Sequence, residues 1–346
     1  MNSKCLVLII VLLVLGMAVQ TADAQTRKSG INSAAFLKVG VGARQIAMGS
    51  AVTSLNGDVN NMFWNPAGVA LRDQQMQASF SHNNWIAGLA QEAAAVSYNL
   101  EDIGTVGIGF MTFGVSGIPA DRDNGYTDPQ LHALEIDQVM TSTYDYQDLL
   151  IQGTISRYIT DNLTLGLTAK YISEKIDDQS ASSIAFDLGS VYNIGILGWS
   201  IGARINNLGG DIKFYDYASP IPLTFSIGTS LVPIEGGKSQ LMLALDLVKP
   251  QDGEQYYYSG LEFHYDKTIF LRMGWKFNYS YFGLIGSGID GGTSTRAPIT
   301  TSLEKGSLGA GVRVPFDGYD VTVDYSYSIF TALDAVHRFT IQFGMK

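Results

Sequence analysis

The feature that most constrains this chain is an alternation of apolar and polar residues that recurs in segment after segment. In residues 307–314 every second residue is apolar, and glycines and Arg313 fall between them. A period of two predicts β-strands with one apolar and one polar face. Asp317-Gly318 separates this segment from the next alternating one, and such a dipeptide is typical of a two-residue β-hairpin turn.

About fourteen such segments of roughly ten residues follow one another, which is the length a tilted strand needs to cross a bilayer. They are residues 74–82, 91–100, 104–114, 147–159, 162–174, 182–193, 197–207, 222–232, 239–248, 256–265, 268–277, 307–315, 319–328 and 337–345. The connections after even-numbered segments are short, whereas the longest, 115–146 and 278–306, follow odd-numbered ones. Outer-membrane barrels sort their connections in this way, with tight periplasmic turns and long external loops.

The sequence therefore predicts an all-β protein, a 14-stranded antiparallel transmembrane β-barrel formed by residues 74–346. A soluble β-sandwich is the alternative, because it also buries one face of each strand and exposes the other to water. A sandwich gives no reason for connection lengths to alternate, nor for so many strands in one domain. The barrel is the favoured interpretation.

The first 24 residues predict export. Lys4 precedes an apolar run at residues 6–19, and residues 22–24, Ala-Asp-Ala, have the small-x-small pattern of a signal peptidase site. We expect cleavage after Ala24. A membrane anchor is the alternative, but the run is shorter than the roughly twenty residues that span a bilayer. The single cysteine, Cys5, lies in this segment, so no thiol chemistry is expected in the mature chain.

Composition and motifs exclude two classes of function. The chain has 22 Lys and Arg against 32 Asp and Glu, a net charge of −10, which disfavours a nucleic-acid partner. No Gly-x-Ser-x-Gly elbow occurs, and the four histidines are dispersed. We therefore expect neither an enzyme nor a cofactor.

If the apolar faces contact lipid, the opposite faces line the interior of the barrel, and their charged residues fall on neighbouring strands. These residues form three groups: Lys170, Asp187 and Arg204; Asp246, Glu262 and Arg272; and Arg313, Asp324 and Arg338. Opposite charges alternate across most neighbours, so they can form ion pairs in a confined space. We interpret the network as structural filling of the interior, and a path for a substrate is the alternative.

Aromatic residues near the strand ends of the lipid face predict interfacial girdles. They are Tyr98, Trp199, Tyr265, Trp275, Phe277, Tyr325 and Tyr327.

A different feature lies between segments three and four, where Asp121, Asp123 and Asp128 cluster in DRDNGYTD. Carboxylates of this kind are weak candidates for binding a hard cation, and a solvated acidic turn is the alternative.

The stretch before the first strand, residues 33–71, does not alternate. Within it, Asn65-Pro66 predicts a short helix with Asn as N-cap and Pro at the first helical position, ending near Gly68. About forty residues must be accommodated here. We expect residues 25–73 to form a plug inside the barrel mouth. Its predicted hatch motif is Phe63, Trp64, Asn65, Pro66, Ala67 and Gly68, with the first two as apolar packing.

The sequence AAFLKVGVGARQIAMGSAV, followed by FWNPAG, resembles the N-terminal region of the PorV/PorQ family, which is similar to the FadL family of outer-membrane fatty-acid transporters. The resemblance covers residues 34–71. It implies a fourteen-stranded barrel with an N-terminal plug, in which Asn65, Pro66 and Ala67 are the hatch motif. It also implies an accessory role in type IX secretion, in which the protein binds and shuttles exported cargo.

The alternative implied by the wider resemblance is FadL-like transport of long-chain fatty acids or other hydrophobic small molecules across the outer membrane. A transporter needs an apolar pocket beneath the mouth of the barrel, whereas a cargo shuttle needs an external platform of loops. The expected partners are outer-membrane lipid and either secreted proteins with a C-terminal sorting domain or a hydrophobic ligand.

Overall fold

The computed structural model describes residues 32–120, 143–253, 255–278, 304–330 and 333–346. The predicted signal peptide, residues 1–24, lies outside the described residues, and so does the candidate cation cluster of Asp121, Asp123 and Asp128. None of the helices within the described ranges is long and apolar enough to cross a membrane.

The described residues form sixteen strands. They are β1 (Met76–Asn84), β2 (Ala90–Leu100), β3 (Gly104–Pro119), β4 (Thr143–Tyr158), β5 (Leu163–Ile176), β6 (Gln179–Asn193), β7 (Ser200–Gly209), β8 (Ile212–Phe214), β9 (Tyr217–Ser219), β10 (Thr224–Gly236), β11 (Ser239–Pro250), β12 (Tyr256–Tyr265), β13 (Ile269–Asn278), β14 (Glu304–Phe316), β15 (Tyr319–Phe330) and β16 (Val336–Met345).

Fourteen of these strands form a closed antiparallel barrel, and β8 and β9 form a separate hairpin. The barrel closes where β1 pairs with β16, with Met76 opposite Met345. Each other strand pairs with its neighbours along the chain, and β7 pairs with β10 across the small hairpin. The predicted fold class and number of strands are confirmed.

The connections define two ends of the barrel. Six turns join the strands at one end, here the lower end, and among them are Asp317-Gly318 and residues 237–238. The upper end carries the other connections, including 210–223 with the β8–β9 hairpin. The upper connection between β5 and β6 has only two residues, 177–178, because both strands continue further than the sequence predicted.

The predicted loop 115–146 is wrong at both of its ends. β3 continues to Pro119 and β4 begins at Thr143, so that these two residues are opposite each other in the ladder. A register shift between Val115 and Ile118 interrupts the pairing. The apolar residues Val115 and Ile118 lie three positions apart on either side of this shift, so the period of two that marks the strands lower down is lost here.

The outward faces of the strands are apolar, whereas the inward faces are mostly polar and buried. Ile108 and Ile184 project outward with 70% and 59% of their surface exposed. Of the predicted girdle aromatics, Tyr98, Tyr265 and Trp275 are exposed on this outer face, and the other four are half-buried. This apolar outer band is what a bilayer-spanning barrel requires.

Residues 33–75, here called the inner segment, run through the barrel from its upper to its lower end. The Ser33 amide donates to Pro220 O at the upper end (3.0 Å), and the Gln75 amide donates to Met345 O at the lower end (2.8 Å). The segment contains an α-helix, Ala43–Ala47, and three short 3₁₀ helices, Ala35–Lys38, Val59–Phe63 and Pro66–Val69. Most of its residues are buried.

The inner segment touches the wall at glycines that face inward. A Cβ added at Gly166 of β5 would collide with the backbone at Pro66, and one at Gly189 of β6 would collide with Asn65 Oδ1. Only glycine permits this close approach. Similar contacts connect the inner segment to Gly202, Gly260, Gly274 and Gly309 on four further strands. The segment is therefore held closely around the circumference.

Candidate functional site

The FWNPAG stretch forms the 3₁₀ helix Pro66–Val69 and the residues just before it. The Asn65 side chain accepts a hydrogen bond from the Ala67 amide (3.1 Å), as expected for an N-cap, and Pro66 occupies the first helical position. The amide group of Asn65 also donates to Thr53 O (2.5 Å) and to Ser190 O of β6 (3.3 Å). Asn65 thus joins two turns of the inner segment to the wall.

Phe63 and Trp64 lie in the centre of the barrel. Trp64 is buried, and its indole nitrogen donates to Val41 O (2.9 Å). Its ring packs in a cluster that includes Ile46 and Leu55. Phe63 is half-buried and packs against this cluster and the two others inside the barrel. Both rings also face the upper half of the interior, where they form part of a cavity floor.

One side of the inner segment is held by buried ion pairs. Arg44 binds Glu262 of β12 through two contacts, Nε to Oε2 (2.9 Å) and Nη2 to Oε1 (3.0 Å). Arg44 also contacts Asp58 (3.1 Å), which belongs to the inner segment.

The same carboxylate continues the network across the wall. Arg272 of β13 contacts Glu262 (2.6 Å) and Asp324 of β15 (2.5 Å). Each of these three side chains is almost completely buried. Because a buried charge is costly unless it is paired, the four charged groups of Arg44, Glu262, Arg272 and Asp324 depend on one another.

The opposite side of the inner segment is held by Asp246 of β11. One oxygen of this carboxylate, Oδ2, accepts hydrogen bonds from the Val52 amide (3.0 Å), the Thr53 amide (2.9 Å) and the Thr53 hydroxyl (2.7 Å). A carboxylate that accepts two successive backbone amides fixes the turn that presents them. This turn also contacts the wall at Gly202.

The structure groups the predicted interior charges differently from the sequence. Lys170 and Asp187 form an ion pair (2.6 Å), as their positions on adjacent strands predict. Asp246 binds the inner segment instead of pairing along the wall. Asp324 joins Arg272 and not its expected neighbours, because the β13, β14 and β15 register places Gly311 between them, which leaves room for the contact.

Two of the three remaining predicted charges lie apart from the network. Arg313 is half-buried near the lower end, where it donates to Thr322 (3.2 Å) and lies 4.0 Å from Asp320. Arg338 is buried in the upper half and donates to Ser328 (2.8 Å). Its guanidinium lies over the Trp85 ring, 5.1 Å from the ring centroid.

Above the inner segment lies a cavity of about 850 Å³. The side chains that give it its character are the aromatic residues Phe63, Trp64, Trp85, Tyr256, Tyr258 and Phe330 and the cations Lys38, Lys170, Arg204 and Lys276. Two carboxylates, Asp252 and Glu304, also line it. A partly open cavity of this size, lined by aromatic rings and a set of polar groups, is typical of a small-molecule site.

Sequence reasoning missed the partners that the inner segment supplies. Arg44, Asp58 and Thr53 carry the contacts to Glu262 and Asp246. The inner segment has no periodicity that would show which of its residues face the wall. One signal in the sequence could have indicated them: Arg44 and Asp58 are charged residues in a segment otherwise rich in small and apolar ones.

Among the described residues, no group of three His, Cys, Asp or Glu side chains is placed to hold a metal ion.

No protein-family model matches the sequence, and no curated protein matches it. Several solved structures are similar in fold. The toluene transporter TbuX of Ralstonia pickettii aligns with a TM-score of 0.56 at 12% identity, covering 89% of this chain and 98% of that one.

The toluene transporter TodX of Pseudomonas putida has a TM-score of 0.56 at 12% identity, with 88% of this chain and 98% of that one covered. A FadL homologue of Pseudomonas aeruginosa has a TM-score of 0.50 at 11% identity, over the same shares of the two chains. The fold is that of the FadL-type barrel. At these identities the likeness extends to the fold alone.

Proposed function

We propose that this chain is an outer-membrane barrel that carries hydrophobic small molecules across the membrane. The apolar outer band and the sorted connections support the location, with the upper end outside the cell and the lower end in the periplasm. Two similar structures are described as toluene transporters, which supports this class of cargo.

The observation that carries the proposal is the cavity of about 850 Å³ in the upper half of the barrel. Its floor is formed by Phe63 and Trp64 of the inner segment, which here acts as a hatch. An apolar ligand entering from the upper end would bury its surface against these rings. Burial of apolar surface is favourable by roughly 25 cal/mol for each Å², which suits a hydrophobic cargo.

Passage beyond the cavity requires a second step, because the inner segment fills the barrel below it. The wall beside Asn65 offers one route. Gly166 and Gly189 are opposite each other there, and an apolar groove of about 690 Å³ lies on the lipid side. Leu165, Leu188 and other apolar residues line the groove. Exit here requires the β5–β6 ladder, which is continuous from Leu163 to Ile176, to open, and the ligand would then enter the bilayer directly.

The resemblance to PorV and PorQ implied a different role, in which exported cargo proteins are bound and shuttled in type IX secretion. The comparisons give no support to this role, since neither a family model nor a curated protein matches. Photo-crosslinking from residues 115–146 in the native host tests it. Capture of several exported proteins with a shared C-terminal domain would favour secretion over transport.

Ligand binding to the purified full-length barrel tests the transport proposal. We expect naphthalene, added to protein in a maltoside detergent, to bind saturably and to quench tryptophan fluorescence. Trp64→Gln should weaken binding by about tenfold, since an aromatic contact contributes roughly 1 kcal/mol beyond area burial. Trp275→Gln is the matched control, because this ring lies on the lipid face. Absence of saturable binding would contradict the proposal.

A further inference from the structure

Arg204 of β7 differs from Lys170 and Lys276, two other cations that line the cavity. It is 6% exposed, yet its Nε has no hydrogen-bond partner, and no described carboxylate lies within ion-pair distance of its guanidinium. By contrast, Lys170 lies 2.6 Å from Asp187, and Lys276 lies 2.6 Å from Glu304. Arg204 therefore carries donor capacity that the described residues leave unused.

The contact that Arg204 makes is with an aromatic ring. Its guanidinium carbon lies 5.4 Å from the centroid of Trp64 on the floor of the cavity. Asp246 and Asp187 act on it only from longer range: both oxygens of Asp187 and the Oδ2 atom of Asp246 are engaged by other groups, whereas Asp246 Oδ1 has no hydrogen-bond partner among the described residues. A cation–π contact offsets part of the cost of burial but satisfies none of the N–H donors.

A buried guanidinium favours a particular kind of ligand. Its N–H groups form a planar fork that matches the two oxygens of a carboxylate, and such paired, charge-assisted hydrogen bonds are the strong ones. Each of the other three cations of the cavity is paired with a carboxylate: Lys38 with Asp252, Lys170 with Asp187 and Lys276 with Glu304. Arg204 is therefore the cation left to attract an anion.

The rest of the cavity determines the apolar part of the ligand. Trp64 lies beneath the guanidinium, and Trp85, Tyr256, Tyr258 and Phe330 present further rings. Flat rings pack against one another in offset or edge-to-face geometries that contribute beyond simple area burial. The lining therefore suits an aromatic ring better than a flexible alkyl chain, which would lose more conformational entropy when confined.

We infer that this cavity binds an aromatic carboxylate, with the anion held by Arg204 and the ring packed against the aromatic residues of the lining. The inference rests on the proposed transport function and specifies its substrate class. It separates this chain from TbuX and TodX, whose descriptions name toluene, an uncharged hydrocarbon. Arg204 is then the residue that selects an acid over a neutral molecule of the same shape.

Isothermal titration of the full-length barrel in a neutral maltoside detergent tests this. The probes are 1-naphthoate, its uncharged analogue 1-naphthalenemethanol, and laurate. We expect 1-naphthoate to bind at least about tenfold more tightly than 1-naphthalenemethanol, the effect of one charge-assisted pair. Arg204→Gln should abolish this preference while leaving affinity for the neutral analogue nearly unchanged, and Arg204→Lys should retain part of it.

Arg313→Gln is the matched control, since Arg313 lies in the lower part of the barrel and outside the cavity. Equal affinities of the native protein for 1-naphthoate and its neutral analogue would overturn the inference, even if Arg204→Gln failed to fold. Tighter binding of laurate than of 1-naphthoate would overturn the aromatic part. If no probe bound at all, the transport function itself would fail.

Discussion

Arg44 of the inner segment and Glu262 of the barrel wall form a two-contact ion pair, with N–O distances of 2.9 and 3.0 Å. The pair joins residues 218 positions apart in the sequence. Glu262 also receives Arg272, so that one carboxylate balances two cations. The same carboxylate therefore holds the inner segment in place and supports the wall.

Replacing this carboxylate should loosen the inner segment. We expect Glu262→Gln to lower the free energy of unfolding by about 3 kcal/mol, because it leaves Arg44 and Arg272 buried with less compensation. Single-channel conductance in planar bilayers should rise as the inner segment shifts. Lys238→Gln is the control, since its pair with Asp266 is solvent-exposed and contributes at most about 1 kcal/mol. Unchanged conductance and stability in Glu262→Gln would refute this role.

The glycine contacts lead to a second prediction. Gly189→Ala places a methyl group against Asn65 Oδ1 and Pro66 Cδ, so the inner segment must move away from β6. We expect a loss of about 1 to 3 kcal/mol, the usual cost of overpacking, measured by urea unfolding. Gly153→Ala is the matched control, because nothing lies within 4 Å of a Cβ built at this position. Equal stability of the two variants would show that the contact at Gly189 is not tight.

The Asp246 anchor can be weakened without removing a charge. Thr53→Val deletes the hydroxyl that donates to Asp246 (2.7 Å) but preserves the shape of the side chain and both backbone donors. A hydrogen bond to a charged acceptor contributes about 1.5 to 3 kcal/mol, so stability should fall by that amount. Thr160→Val, in an exposed lower turn, provides the comparison in the same urea titration. A similar small effect in both variants would argue against the anchor.

Asn65 offers a test of the Asn-Pro motif itself. Asn65→Ala removes an N-cap and the two contacts to Thr53 O and Ser190 O, and we expect it to cost about 2 kcal/mol or more. Asn65→Asp keeps the acceptor for the Ala67 amide but loses both donated bonds. The difference between the two variants in thermal unfolding therefore separates capping from docking. If Asn65→Ala is as stable as the native chain, the motif has no structural role.

The wall of the barrel could be predicted from the sequence because its strands and turns depend on residues that are close together in the chain. The alternation of apolar and polar residues predicts the strands. For β12 it predicts the same limits that the structure has, 256–265. Asp317-Gly318 forms the predicted tight turn, with Gly318 at φ 76°. Where β3 continues past Val115, the next apolar residue is Ile118, three positions on, and this signal disappears.

The interior could be predicted only in part, because its contacts depend on how a non-repeating segment lies against the wall. The N-cap of Asn65 is local and followed from the Asn-Pro pair. The partners of Glu262 and Asp246 come from Arg44 and Thr53, whose positions depend on the path of the whole inner segment. That no carboxylate of the described residues pairs with Arg204 is likewise a property of the assembled interior.

The path of the inner segment also constrains biogenesis. Ser33 is hydrogen-bonded at one end of the barrel and Gln75 at the other. Between them the inner segment is in close contact with glycines of the wall. Insertion of this helix-containing segment into an already closed barrel, past such close contacts, would be slow. The simplest order of events is that the sheet, while still open, forms around the inner segment. The first and last strands of the barrel then pair and close it.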